Sequence, residues 1–489
     1  MPRGDAHDGR RVRSDEAGRT ALVVLLSVVL LLAAGGYAAY DRGVFDRYLG
    51  RTEPLAPAAI PPPPGLEIPD APPARPVLEP VEAGAASTPR PRELRSHLRD
   101  SLRDDDFGPH LGVLVQRLDS NRDLLRVGGD DLFIPASTLK LLTTTAALEV
   151  LGPRHRFRTT VVRGEGRRSI VLVGGGDPLL TERPPPPEEA TYPEPATLRG
   201  LARRTAASLS ADGVRSVRLG YDTSLFSGPA VNPSWEPSYV PDDVVSPITA
   251  LWVDEGREAP ASSVRSDDPA QAAADAFATQ LRRAGIRVRG TPVERRAPRS
   301  SRELARVRSA PLDQVVQHVI ELSDNEGAEV LLRHVALGAG LEGSSAAGAR
   351  AVTRTLTGLG LDLSRARIHD GSGLSRANRL PLDALVGTLQ IAGAPAEQRL
   401  RRVLTGLPVA GFNGSLAFRF LTFGAEGRGD VRAKTGTLTG VHALAGVSVD
   451  RDGTPLVYVA VADQVPPIDT LDARAGLDQL TADIAACCP

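Results

Sequence analysis

The sequence predicts an α+β fold in which one sheet is built from both ends of the folded chain and a long region is inserted between its two halves. Three observations point to it. Apolar or alternating runs that read as strands lie early, at Leu111–Gln116 and Leu124–Val127, and again late, at Val431–Gly436, His442–Val449 and Leu456–Val461. Helical stretches lie just inside those strands, at Ser137–Leu151, ended by Gly152-Pro153, and across Leu312–Gly338, which reads as one or two helices. Between them runs an excursion with its own hairpin, Thr159–Arg163 against Ser169–Val173, which leads into Gly174-Gly175-Gly176-Asp177-Pro178. The inserted region is placed at 158–308, leaving 93–157 and 309–489 as the enclosing domain.

Composition sets the outer limits. The 489 residues are 41% hydrophobic and 24% charged, with a formal net charge of -1, an ordinary globular balance long enough for two or three domains. Near-neutrality removes any broad electrostatic attraction to nucleic acid, so no nucleic-acid partner is expected. The only cysteines, Cys487 and Cys488, are adjacent at the C-terminus and form neither a disulfide framework nor a metal-ligand spacing. An ordinary tail is expected, with a vicinal disulfide or a disulfide to another chain as the alternative.

The N-terminal part is of another kind. Thr20 to Tyr40 carries no charged residue, long enough for one membrane span, and Arg10, Arg11, Arg13 and Arg19 precede it. Residues 1–20 are therefore expected to be a cytoplasmic tail, and 21–40 a membrane anchor with the catalytic part outside the cell membrane. Cleavage as a signal segment near Tyr37-Ala38-Ala39 is the alternative, and it would leave a secreted protein. Residues 41–92 follow as a Pro-rich linker that includes Pro61–Pro64 and favours an extended spacer.

The basic residues hold the sharpest signal. Of 58 Lys plus Arg, only Lys140 and Lys434 are lysine, which leaves 56 arginines. A high-G+C genome accounts for the general replacement, because the two residues are near-equivalent on a solvated surface. Where lysine persists, chemistry closed to arginine is suspected, since an amine can be tuned to lose its proton and act as a base.

Both lysines fall in motifs. Ser137-Thr138-Leu139-Lys140 places a serine at a helix start with a lysine one turn along. A serine hydroxyl needs a neighbouring base, and a desolvated amine can be one. Ser323-Asp324-Asn325 follows on a helical stretch, and Lys434-Thr435-Gly436-Thr437 on a late strand. The three occur in the order and contexts of the β-lactamase and penicillin-binding protein group. Ser323 can relay a proton to a leaving amine, and Asn325 can bond a substrate amide. Lys434 offers a positive charge, Thr435 and Thr437 offer hydroxyls to a carboxylate, and Gly436 allows close approach of a substrate strand. Backbone N–H groups of Ser137 and Thr437 are the candidate oxyanion hole.

From about Leu111 onward the chain resembles the D-alanyl-D-alanine carboxypeptidase/endopeptidase family, the class C low-molecular-mass penicillin-binding proteins. The resemblance extends to Gly174–Pro178, to Ser246-Pro247-Ile248-Thr249-Ala250-Leu251 and to His369-Asp370-Gly371-Ser372-Gly373-Leu374-Ser375-Arg376. It implies a transpeptidase-like domain, an antiparallel sheet with helices, carrying one or two smaller inserted domains. It further implies a serine-type D-Ala-D-Ala carboxypeptidase acting on peptidoglycan stem peptides through an acyl-enzyme on Ser137, covalent inhibition by β-lactams, and no cofactor or metal. Two departures stand out: Glu326-Gly327 where the family carries bulkier residues, and Asp254 where Asn is more usual. The alternatives are a β-lactamase or esterase of the same fold, for which no Glu-x-x-x-Asn element stands out, and a non-catalytic cell-wall scaffold. His155, His318 and His334 show no metal spacing and read as structural.

Overall fold

A computed structural model of the protein describes residues 89–186, 191–259 and 262–487. The segments read as tail and anchor, and the linker up to residue 88, lie outside them. Among the described residues no helix is long and apolar enough to cross a membrane.

The described residues begin with α1 (Pro91–His97), form β1 (Leu111–Arg117) and β2 (Asp123–Val127), and pass through a 3-10 turn at Ala136–Leu139 into α2 (Lys140–Leu151). Next come β3 (Arg158–Arg163), β4 (Ser169–Val173), α3 (Leu198–Ala211), β5 (Ser216–Asp222), α4 (Pro269–Arg283), β6 (Arg287–Val288), β7 (Val293–Glu294) and β8 (Glu303–Arg308). The chain returns through α5 (Leu312–Glu321), α6 (Asn325–Gly338), α7 (Ser345–Gly358), α8 (Leu382–Gly393) and the short α9 (Arg402–Thr405). It closes with β9 (Arg432–Leu438), β10 (Val441–Val449), β11 (Pro455–Ala462) and α10 (Thr470–Ala485).

The first sheet has the order β2-β1-β11-β10-β9, antiparallel throughout, so the early and late strands meet where β1 pairs with β11. Successive side chains of a strand face opposite ways, and β11 buries both sets. Val457, Val459 and Val461 join a core with Leu114 of β1 and the helices α2 and α5 to α8. Leu456, Tyr458, Ala460 and Ala462 join another with Val113, Val115 and residues of α1 and α10. A strand buried on both faces must be apolar without a break, which explains the run Leu456–Ala462.

The second sheet, β6-β5-β4-β3-β8 with β7 beside β5, has a core of its own with α3 and α4. Leu198, Leu201, Ala202, Ala206 and Leu209 recur at helical spacing and put one face of α3 into that core. Thr197 accepts from Gly200 N to cap the helix, a contact worth about 1 kcal/mol.

Between β5 and α4 the chain leaves the second sheet and packs on α6. Trp235, Val245, Ile248 and Trp252 bury themselves there with Val330 and Leu374. Buried indoles need hydrogen-bond partners. Trp235 Nε1 donates to Asp370 Oδ2 at 2.9 Å, and Trp252 Nε1 reaches the carbonyls of Asp177 and Pro178 at 3.2 Å each.

Three expectations need correction. Ser137 lies in a 3-10 turn, with α2 beginning at Lys140. Ser323-Asp324-Asn325 is a junction between helices: Ser323 is in the left-handed region at φ 60, Asp324 caps α6 through Gly327 N, and Asn325 is its first residue. The C-terminus is no ordinary tail, because Cys487 is buried and disulfide-bonded.

Candidate active site

The late strand β9 and the turn before α2 are packed so closely that their glycines are required. A Cβ on Gly436 would lie 2.8 Å from Pro135 O and 3.2 Å from the Ala136 Cβ. Gly436 therefore lets the strand lie against the turn bearing Ser137. On the other side, a Cβ on Gly373 would lie 1.8 Å from Ala136 O. Held between the two, Ala136 adopts φ 45, a conformation that costs a non-glycine residue of order 1–3 kcal/mol.

All eight sequence-predicted residues come together here. Ser137, Ser323, Asn325, Thr435 and Thr437 line one cleft of about 360 Å³. Lys140 and Lys434 are fully buried and reach these groups through their amines. Lys140 Nζ is 2.8 Å from Ser137 Oγ, 2.8 Å from Asn325 Oδ1 and 2.7 Å from the Ser372 carbonyl. Lys434 Nζ donates to Ser323 Oγ at 2.9 Å and to the Thr435 carbonyl at 2.7 Å. Thr435 Oγ1 in turn donates to Ser415 Oγ at 2.8 Å. Larger cavities exist, including one of about 870 Å³ beside Asn232 and Arg350.

Neither amine contacts a carboxylate, so burial dominates both. It pulls Lys140 down to about 8, against the opposing fields of Asp324, Asp370, Glu329 and Glu326. Burial and the charge of Lys140 push Lys434 well below the usual lysine range. At near-neutral pH an appreciable fraction of Lys140 is free base, with its lone pair able to accept the Ser137 proton.

A second set of residues fixes Lys140. Glu329 is fully buried and accepts from Gly371 N at 2.8 Å, Ser372 N at 2.8 Å and Ser372 Oγ at 2.6 Å. The Ser372 carbonyl is thereby held at the amine. Asp370 ties the same loop to Trp235, Ser375 N and Asn378.

A family model described as the D-Ala-D-Ala carboxypeptidase 3 (S13) family matches residues 94–262 and 257–484. The chain belongs to this family. It is 33% identical to the carboxypeptidase DacB of Mycolicibacterium smegmatis over 86% of this chain and 90% of the relative. It is 34% identical to a carboxypeptidase of Mycobacterium tuberculosis over 86% and 91%. Among solved structures, penicillin binding protein 4 of Haemophilus influenzae aligns with a TM-score of 0.65 at 23% identity, covering 81% of this chain and 98% of that one. The fold is thus the α+β arrangement of penicillin-binding proteins, an antiparallel sheet with flanking helices.

Membership in the S13 family makes the departures informative. Glu326 is buried and bound by Arg265 NH2 at 2.9 Å and by Ser246 N at 3.2 Å, so it joins α6 to the inserted region. At Gly327 a Cβ would lie 2.1 Å from Asp324 Oδ2, which the capping carboxylate forbids. Asp254 stands in the left-handed region at φ 52 and accepts from Glu182 N at 3.4 Å. His334 is structural: burial lowers it to about 4, and its Nε2 lies 2.9 Å from Gly176 O.

Sequence reasoning missed Tyr239, Val244, Leu438 and Thr439 in the cleft wall, and Ser415 behind Thr435. Tyr239 and Val244 belong to the irregular segment after β5, which has no periodicity to read. It also missed that Glu255 joins His318 and Asp324 in one cluster, with ligand-type atoms within 4.8 Å of one another.

Proposed function

We propose that this protein is a serine-type D-Ala-D-Ala carboxypeptidase, with endopeptidase action on cross-links, that works on peptidoglycan stem peptides through an acyl-enzyme on Ser137. The observation that carries the reading is the buried Lys140 amine, lowered to about 8 and 2.8 Å from Ser137 Oγ. Neutral Lys140 takes the hydroxyl proton as Oγ attacks the carbonyl between the last two D-alanines. The backbone N–H groups of Ser137 and Thr437 receive the oxyanion. Ser323 passes a proton to the departing D-alanine amine as the C–N bond breaks and is reprotonated with the proton held by Lys140, which leaves Lys140 neutral again, and Asn325 aligns the substrate amide. The terminal carboxylate meets Lys434, Thr435 and Thr437, and gives Lys434 the counter-charge that its buried site lacks. Water then attacks the acyl carbonyl, with its proton taken by Lys140, and Ser137 is restored.

β-Lactams are expected to acylate the same serine. The Haemophilus influenzae relative is also known in a complex with a β-lactam. The described lining of the cleft contains no carboxylate to activate a deacylating water, which favours a long-lived adduct over β-lactamase turnover. The substrate lies outside the cytoplasm, in keeping with the N-terminal apolar segment as a membrane anchor. Release of D-alanine from a peptide ending in D-Ala-D-Ala tests the activity. Wild type should release one D-alanine per peptide and Ser137→Ala none; release by the variant at the wild-type rate would reject the mechanism.

A further inference from the structure

The search outside the reactive cleft leads to the cluster that joins the inserted region to the Ser323-Asp324-Asn325 turn. Glu255 is carried by a segment with Asp254, Glu255 and Gly256 in succession at φ 52, 57 and 76. Two adjacent non-glycine residues in the left-handed region are costly, and such strain persists only where its surroundings hold it. Ser246 Oγ holds it here, donating to the Glu255 carbonyl at 2.6 Å. The Glu255 carboxylate accepts from Arg257 NH2 at 3.1 Å through Oε2, and its Oε1 stands 3.8 Å from His318 Nε2, an ion-pair distance. His318 occupies the last turn of α5, and the Asp324 carboxylate completes the group.

Asp324 is the informative member. Its Oδ1 accepts from Gly327 N at 2.8 Å to cap α6, whereas its Oδ2 is buried with no hydrogen-bond partner. A buried carboxylate oxygen left unpaired is costly unless a cation or a proton is close. Gly327 leaves the room that this oxygen occupies. Ser323 and Asn325 flank Asp324 directly, so its placement sets the placement of both cleft residues.

We propose that His318 is a positioning residue through which the inserted region holds the Ser323-Asp324-Asn325 turn in place. The imidazole faces two carboxylates, Glu255 from the insertion and Asp324 from the α6 cap, and when protonated it offsets the charge of both. Burial alone would lower the His318 pKa, but the Glu255 and Asp324 carboxylates outweigh it and raise it. Burial raises Asp324, with Glu255 adding to the rise. Of the other charged neighbours, Arg257 pairs with Glu255 itself, Glu326 pairs with Arg265, Glu321 accepts from Asn413 and Gln317 and adds to the rise at His318, and Lys140 lies in the field of Asp324. Because the folded pKa of His318 lies above 6.5, its stabilising effect is complete below that value. It is lost as pH rises through the raised folded value. The consequence for acylation rests on the function proposed above; the charge balance does not.

The test compares the full-length protein in detergent as wild type, His318→Gln, Asp324→Asn and the double variant, by melting temperature and by rate of penicillin acylation across pH. His318→Gln leaves Glu255 paired with Arg257 but the Asp324 carboxylate without its cation, and acylation should slow about tenfold to a hundredfold, as expected for displaced catalytic groups. Adding Asp324→Asn should restore the rate to within a few-fold of wild type, because Asn caps a helix as well as Asp and carries no charge. The melting-temperature difference between wild type and His318→Gln should shrink as pH rises. A rate within twofold of wild type for His318→Gln, or a double variant no faster than His318→Gln, overturns the proposal. Loss of wild-type acylation on dialysis against a chelator, restored by zinc, also overturns it and makes the cluster a cation site. If wild type forms no adduct at all, the acyl-enzyme reading falls, and the pH dependence of the melting difference alone decides the role of His318: a difference flat with pH rejects it.

Discussion

Lys140 and Lys434 are both fully buried, and both reach a serine hydroxyl through their amine, yet their surroundings differ in one respect. Around Lys140 four carboxylates act at a distance and moderate the effect of burial, leaving the amine at about 8. Around Lys434 no carboxylate offsets burial, and the neighbouring Lys140 depresses it further. The same side chain is thus prepared for two tasks. Lys140 is poised to exchange a proton near neutral pH, whereas Lys434 lacks a negative partner that a substrate carboxylate would supply.

Replacing each lysine should break this comparison in its own way. Lys140→Arg keeps the charge but removes a base, since a guanidinium does not deprotonate, and acylation should fall about 10²- to 10⁴-fold in stopped-flow assays with a chromogenic β-lactam. Lys434→Gln should lower kcat/KM about 10- to 100-fold for peptides with a free terminal carboxylate, the range for a lost charge-assisted hydrogen bond. The loss should be much smaller for the same peptides with an amidated terminus. Equal loss on both would show that Lys434 does not read the carboxylate.

The pH dependence sharpens the contrast. Acylation by wild type should rise with pH through about 8 as Lys140 loses its proton, since a lowered pKa favours the free amine above that value. A profile flat from pH 6 to 9 would remove Lys140 as the base. The smallest effect is expected at Ser415→Ala, which removes one neutral contact to Thr435 and should raise KM only about two- to tenfold.

Much of this was legible in the sequence, for identifiable reasons. Lysine is so scarce that Lys140 and Lys434 stood out before any motif did, and the apolar run Leu456–Val461 reads as a strand, though its burial on both faces emerges only from the structure. The Ser323 junction reads only as one or two helices because the polar stretch 323–327 interrupts the apolar pattern between Leu322 and Ala328 without a proline to mark a stop. The left-handed Ser323 breaks the chain after α5, and the capping contact from Gly327 N to Asp324 marks where α6 starts. Tyr239 and Val244 come from irregular chain between β5 and α4, and Ser415 is a lone serine in a loop. The Glu255, His318 and Asp324 group is assembled from three separate segments, so nothing short of the tertiary contacts brings it to view.

The central claim is that Ser137 becomes acylated with the aid of Lys140. Intact-mass analysis after brief exposure to penicillin, followed over time and repeated with Ser137→Ala, tests it most directly. The account predicts a single adduct of the drug's mass on wild type that persists while free penicillin is removed, and none on Ser137→Ala. An adduct that survives the substitution, or folded wild type that neither labels nor consumes the drug, would contradict it.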